Sequence, residues 1–163
     1  MTRILIAGIG NIFMGDDAFG VEVVRRMAAR PLPAGAFVRD FGIRGFDLAY
    51  ALNDAWDAVI LVDALSRSQA PGTVFVLEPS RDDLEGSLQN AELQPHGMDP
   101  VQAIRLAKSL GALPRRLLVV GCQPANLGGE EGSMGLSSEV EAAIDLAIGT
   151  IEQLLSQSLA VSA

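Results

Sequence analysis

Five consecutive apolar residues, Ala58-Val59-Ile60-Leu61-Val62, run without a polar interruption and stop on Asp63. So short a run, rich in β-branched side chains, reads as a strand buried on both faces, the strand type of a parallel sheet covered on each side by helices. The fold must therefore supply helical layers around one sheet. Arg3 to Ala7 is a second short strand-like run, apolar from Ile4 on, and it ends in Gly8-Ile9-Gly10-Asn11, a tight loop. Ala18 to Arg30 then places Val21, Val24 and Met27 with Ala28 at helical spacing, with Asp16 and Asp17 suited to the positive end of that helix.

The remaining segments fit the same alternation. Ala36 to Phe41 reads as a strand, Phe46 to Leu52 as a short helix and Leu117 to Val120 as a last buried strand. Thr73 to Leu77 is strand-like too, but Ala64 to Gly72 is too short for a parallel crossover, which makes it an antiparallel edge strand. Pro100 to Leu110 is a helix with Asp99 as cap and Gln102 closing a capping-box-like arrangement, while Ser138 with Glu141 caps a long final helix carrying Val140, Ile144, Ile148, Ile151 and Leu155. The pattern predicts an α/β fold class: a single-domain three-layer fold over residues 1–163, with a mostly parallel twisted sheet of about five strands, helices on both faces and one antiparallel edge strand. Two long stretches, Glu78 to Gly97 and Cys122 to Ser137, show no regular period and are expected to face substrate.

Charge narrows the partners. The 163 residues carry a net charge of -8, which repels phosphate backbones and anionic lipid, so neither nucleic acid nor membrane is the expected partner. A lone cysteine, Cys122, excludes an intrachain disulfide and fits a reducing, cytoplasmic location. Arg3 followed by the apolar stretch to Met14 superficially resembles a signal peptide, but Asn11, the glycines and then Asp16-Asp17 interrupt it, so the N-terminus is expected to be retained.

Ligands of open parallel sheets bind beyond the carboxyl ends of the strands, where strand order reverses. The polar residues collect at that edge: Asp16 and Asp17 after the first strand, Asp63 at the end of the third, Cys122 near the end of the last, and the only histidine, His96, before the Pro100 helix. If the first and third strands are neighbours, two carboxylates and an imidazole form a mixed oxygen and nitrogen set suited to zinc, nickel or manganese with open positions for water or substrate. Taken singly, each has a plainer reading: a helix cap for Asp16 or Asp17, a turn for Asp63, a solvated histidine. Their shared edge favours the site. The glycine loop lacks the third glycine of a dinucleotide fingerprint and carries an acidic pair, so it reads as a tight turn. Cys122 with His96 is a conceivable thiolate pair, but a small residue closing a buried strand is the stronger reading, and no Gly-x-Ser-x-Gly occurs. Arg44, in Gly42-Ile43-Arg44-Gly45, stands at the same edge as a carboxylate binder or a solvated arginine.

These segments together resemble the hydrogenase maturation endopeptidases, which trim the C-terminal extension of the nickel-iron hydrogenase large subunit. The matching stretches are Gly8-Ile9-Gly10-Asn11-Ile12-Phe13-Met14-Gly15-Asp16-Asp17-Ala18-Phe19-Gly20, Val62-Asp63-Ala64, Pro95-His96-Gly97, and Val119-Val120-Gly121 with Gly135-Leu136-Ser137. The resemblance implies that Asp17, Asp63 and His96 are the metal-contacting and catalytic residues. It also implies that nickel arrives with the substrate, an aspartic-type or metal-polarised hydrolysis, and the large-subunit precursor as partner; zinc or cadmium would substitute in vitro. Many relatives have Glu where Asp17 stands, one methylene longer, and Asp40-Phe41-Gly42-Ile43-Arg44-Gly45 departs from their Asp-Gly-Gly-Thr pattern. The alternatives are a flavodoxin-like or Rossmann-like nucleotide-binding module without protease activity, and a metallohydrolase with its own zinc, for which no His-Glu-x-x-His helix is present.

Overall fold

The computed structural model describes residues 2–80, 82 and 100–160. Strand β1 (Ile4–Ile9) leads through a loop and a 3-10 turn (Gly15–Ala18) into helix α1 (Phe19–Ala28), followed by β2 (Ala36–Gly42) and α2 (Gly45–Leu52). Then come β3 (Ala58–Ala64), β4 (Val74–Leu77), α3 (Pro100–Leu110), β5 (Arg116–Cys122) and α4 (Ser138–Ala160). The sheet order is β2-β1-β3-β5-β4. β1 pairs in parallel with β2 and β3, β3 pairs in parallel with β5, and β4 runs antiparallel along β5 at the edge. This is the expected architecture, edge strand included.

The continuous apolar strands divide their side chains between two cores, as period-two alternation requires. Ile4, Ile6, Ile60 and Val62 pack under α1 and α4 with Phe19, Val24, Ile144 and Ile148. Leu5, Ala7, Val59 and Leu61 face the other way, onto α2 and α3, with Leu48, Leu52, Ile104 and Ala107. Every residue of β1 is buried, which is why that strand carries no polar face. Among the described residues no helix is long and apolar enough to cross a membrane.

Several boundaries differ from expectation for local reasons. α1 begins only at Phe19, because Gly15–Ala18 is wound as a 3-10 turn. Asp63 does not end its strand: β3 continues to Ala64, and Asp63 lies opposite Gly121 in a fully paired ladder. The expected cap of the last helix is also revised. Ser138 is the first residue of α4, the flanking Ser137 turns its hydroxyl to Asp16, and the Glu141 carboxylate bridges to Arg26 of α1 instead of closing a capping box. Asp99, the expected cap of α3, lies outside the described residues, as does most of the Glu78 to Gly97 stretch.

Strand order reverses beside β1: the chain moves from β1 to β2 on one side, then returns to β3 on the other. In open sheets of this kind the ligand crevice lies over the carboxyl ends of the strands at such a reversal, which here are the ends of β1 and β3. Close packing of α1 fixes its wall, since a Cβ on Gly20 would lie 2.0 Å from the Val62 carbonyl oxygen. Only glycine lets the helix descend so far onto the strand end.

Candidate active site

Gly10 sets the path of the loop into the crevice. Its φ of +146° and the 1.8 Å that would separate a Cβ from the Asp17 carbonyl oxygen both demand glycine. The first glycines therefore serve close packing, Gly8 against Val24 and the Gly20 carbonyl oxygen and Gly10 against the Asp17 carbonyl oxygen. The loop then delivers two adjacent carboxylates into different surroundings.

Asp16 has no solvent-exposed surface. One oxygen, Oδ2, accepts from the backbone N–H groups of Ala125 at 2.8 Å and Asn126 at 2.9 Å and from the Ser137 hydroxyl at 2.9 Å. The other, Oδ1, accepts from the Ser137 N–H at 2.7 Å. Burial alone would raise the carboxyl pKa, but these donors outweigh it and hold Asp16 below the ordinary carboxylate range. Asp16 is thus a buried anion that ties the first loop to the segment between β5 and α4.

Asp17 is half-buried and accepts one hydrogen bond, from the Asn11 N–H to Oδ2 at 2.8 Å. Burial raises its pKa, and the single donor only partly offsets it. A desolvated carboxylate gains by meeting a proton or a cation. Asp63 is 5 % exposed in β3, and the turn carrying Asp17 packs against that strand. The structure thus brings the Asp17 loop to the strand that bears Asp63. His96, the third residue of the expected set, lies outside the described residues, and among the described residues no three His, Cys, Asp or Glu side chains form a metal-holding group.

The other candidates are accounted for differently. Cys122 is fully buried, and burial, aided by the charge of Asp16, pushes its thiol up to about 11. It is protonated at neutral pH and is no nucleophile. Arg44 donates to the carbonyl oxygens of Phe41 and Asp40 and pairs with Asp47 at 3.5 Å, so it braces the β2–α2 turn. Two residues gain roles that the sequence alone did not assign, Ser137 having figured there within the stretch Gly135-Leu136-Ser137. Gln123 is buried just beyond β5, and its Oε1 accepts from the N–H groups of Arg67 at 2.6 Å and Gln69 at 3.3 Å, anchoring the β3–β4 loop; Ser137 contributes both donors described above. A polar residue directly after a buried strand was the one signal for Gln123.

Comparison with known proteins agrees with this fold. The family model described as hydrogenase maturation protease matches residues 21–154. The hydrogenase 2 maturation protease of Escherichia coli is 32% identical over 158 residues, covering 96% of this chain and 92% of its own length. The hydrogenase expression/formation protein HupD of Rhodobacter capsulatus is 35% identical over 147 residues, covering 90% of this chain and 68% of its own. Among solved structures, the hydrogenase maturating endopeptidase HybD from E. coli superposes with a TM-score of 0.78 at 29% identity, covering 96% of this chain and 94% of that one. A hydrogenase 2 maturation peptidase from a Thaumarchaeota archaeon gives a TM-score of 0.72 at 34% identity over 95% and 99% of the two chains.

Proposed function

This chain belongs to the hydrogenase maturation protease family, and from that premise we propose that it removes the C-terminal extension of a nickel-iron hydrogenase large-subunit precursor once nickel has been inserted. The observation that carries the reading is the state of Asp17: a desolvated carboxylate with one hydrogen bond among the described residues, set at the strand-order reversal on a turn that packs onto the strand that holds Asp63. In this reading nickel is part of the substrate, brings its own ligands, and is engaged by Asp17, Asp63 and His96.

Recognition and timing then become one event. A precursor without nickel offers no cation to relieve the desolvated carboxylate, and the peptide is not held in register for cleavage. Hydrolysis consumes one water, breaks the peptide C–N bond and releases the extension with a free amino group, leaving a new C-terminal carboxylate on the large subunit. Water is the nucleophile of this scheme, since Cys122 is a buried, protonated thiol.

The test compares precursor prepared with and without nickel, with the length of the C-terminus read by mass spectrometry. Trimming is expected only for the nickel-loaded form, and His96→Ala and Asp63→Asn are expected to slow it strongly. Equal trimming of both forms by the wild-type protein would remove nickel as the signal and, with it, the role assigned to all three residues.

A further inference from the structure

The loop that delivers the two aspartates also carries an apolar surface that the reaction above leaves unused. Phe13 and Met134 are 58 % and 71 % exposed, large side chains of the kind that mark a contact surface when they gather. With Met14 and Ser133 they line an open cavity of about 430 Å³, whose charged members among the described residues are Glu130 and Glu131. Its backbone is fixed. Met14 and Ser133 form a parallel bridge, the Ser133 N–H donates to the Phe13 carbonyl at 2.9 Å, and the Gly15 N–H donates to the Ser133 carbonyl at 2.7 Å. Phe13 stands four residues before Asp17 on one continuous loop, so a polypeptide resting here lies beside the crevice.

We propose that this cavity docks a segment of the protein substrate that carries an arginine or lysine among apolar side chains. The proposal rests on the reading that the chain cleaves a polypeptide. Apolar side chains of the segment cover Phe13, Met14 and Met134, and its cation meets Glu130 and Glu131, an arrangement of apolar centre and charged rim common to specific interfaces. A second copy of this chain fits poorly, because the net charge of -8 and the two glutamates would face like charges.

The experiment titrates nickel-loaded large-subunit precursor against wild-type protein, a Phe13→Ser/Met134→Ser variant and a Glu130→Lys/Glu131→Lys variant, by binding and by cleavage kinetics. Leu146→Ser, 61 % exposed on α4, is the control. Each double variant is expected to weaken binding about tenfold, a loss typical of truncated interface anchors, and to raise KM more than it lowers kcat. The charge reversal should also flatten the dependence of binding on salt. Thermal melts matching wild type confirm that the exposed positions leave the fold intact; if one pair melts early, Phe13→Ala/Met134→Ala or Glu130→Gln/Glu131→Gln replaces it.

The outcomes separate the two readings. Wild-type binding and cleavage with no change in either double variant would overturn the docking surface and leave the protease reading standing. A wild-type dimer in sedimentation that dissociates in the Phe13→Ser/Met134→Ser variant would assign the cavity to a second copy and overturn the proposal. Failure of the wild-type protein to bind or cleave nickel-loaded precursor would bring down both.

Discussion

Asp16 and Asp17 are neighbours in sequence and head two different regions of the molecule. On the Asp16 side the crevice is closed: four donors, two of them from Ser137, converge on a carboxylate with no exposed surface and lock the first loop to the segment before α4. On the Asp17 side it is open, with one donor among the described residues and a carboxylate that burial disfavours as an anion. A site that must accept a foreign group needs both regions. The closed region spends its anion on holding the loops, while the open one keeps acceptor capacity at the price of some stability.

The largest expected effect follows from emptying the closed region. Asp16→Ala leaves the N–H groups of Ala125, Asn126 and Ser137 and the Ser137 hydroxyl without their carboxylate, and the expected loss is about 3 kcal/mol or more, since four charge-assisted bonds to one fully buried anion are lost together. Urea unfolding followed by circular dichroism measures it. A loss below about 1 kcal/mol would mean that water replaces the carboxylate readily, and the closed region would not be closed.

Asp17→Asn inverts the pattern. Cleavage of nickel-loaded precursor is expected to fall by about 100-fold, the lower end of what removing a positioned charged group costs, while the melting temperature holds or rises because a desolvated anion has been removed. A variant that lost stability but retained cleavage would reverse the assignment of the two aspartates.

Acidity separates the regions next, with smaller amplitude. The Asp16 pKa is lowered in the fold, so its contribution to stability is present above the ordinary carboxylate pKa and is lost as pH falls from there through the lowered value. The raised pKa of Asp17 acts in the opposite sense: its cost appears as pH rises from the ordinary value through the raised one, and it vanishes in acid. Stability of Asp17→Asn relative to wild type should therefore be nearly level in acid and grow in the variant's favour as pH rises. A relative stability independent of pH would show that Asp17 is no more desolvated in the fold than in the unfolded chain.

The open region was far more legible in the sequence than the closed one. Uninterrupted apolar runs at Ile4 to Ala7 and Ala58 to Val62 dictate doubly covered strands, and with them the edge where Asp17 and Asp63 had to emerge. The short span from Ala64 to Gly72 likewise dictated the antiparallel β4. Asp16, by contrast, is distinguished from Asp17 only by contacts with Ala125, Asn126 and Ser137, more than a hundred residues away. No local pattern encodes a partner at that separation. The Ser138 cap was misread for the same reason: Ser137 and Glu141 are drawn off by Asp16 and Arg26, and tertiary partners override the local capping preference.

Cys122 gives the smallest expected effect and tests whether the closed region is also chemically silent. It ends β5 with no exposed surface, its sulfur 3.7 Å from the Gln123 carbonyl oxygen as a weak donor, and its thiol is pushed up to about 11 by burial and then by the charge of Asp16. Thiolate is the reactive form, and almost none is present at neutral pH. Serine in its place can donate to the same carbonyl, so Cys122→Ser should lose about 1 kcal/mol for burying a hydroxyl in an apolar setting. Precursor cleavage should stay within about twofold of wild type, a margin set by a residue with no part in transition-state binding. Iodoacetamide should fail to label the folded wild-type protein and label it fully in urea. Rapid labelling of the native state together with loss of cleavage in a folded Cys122→Ser protein would place a thiolate in the reaction, and the boundary drawn between the closed and open sides of the crevice would have to move.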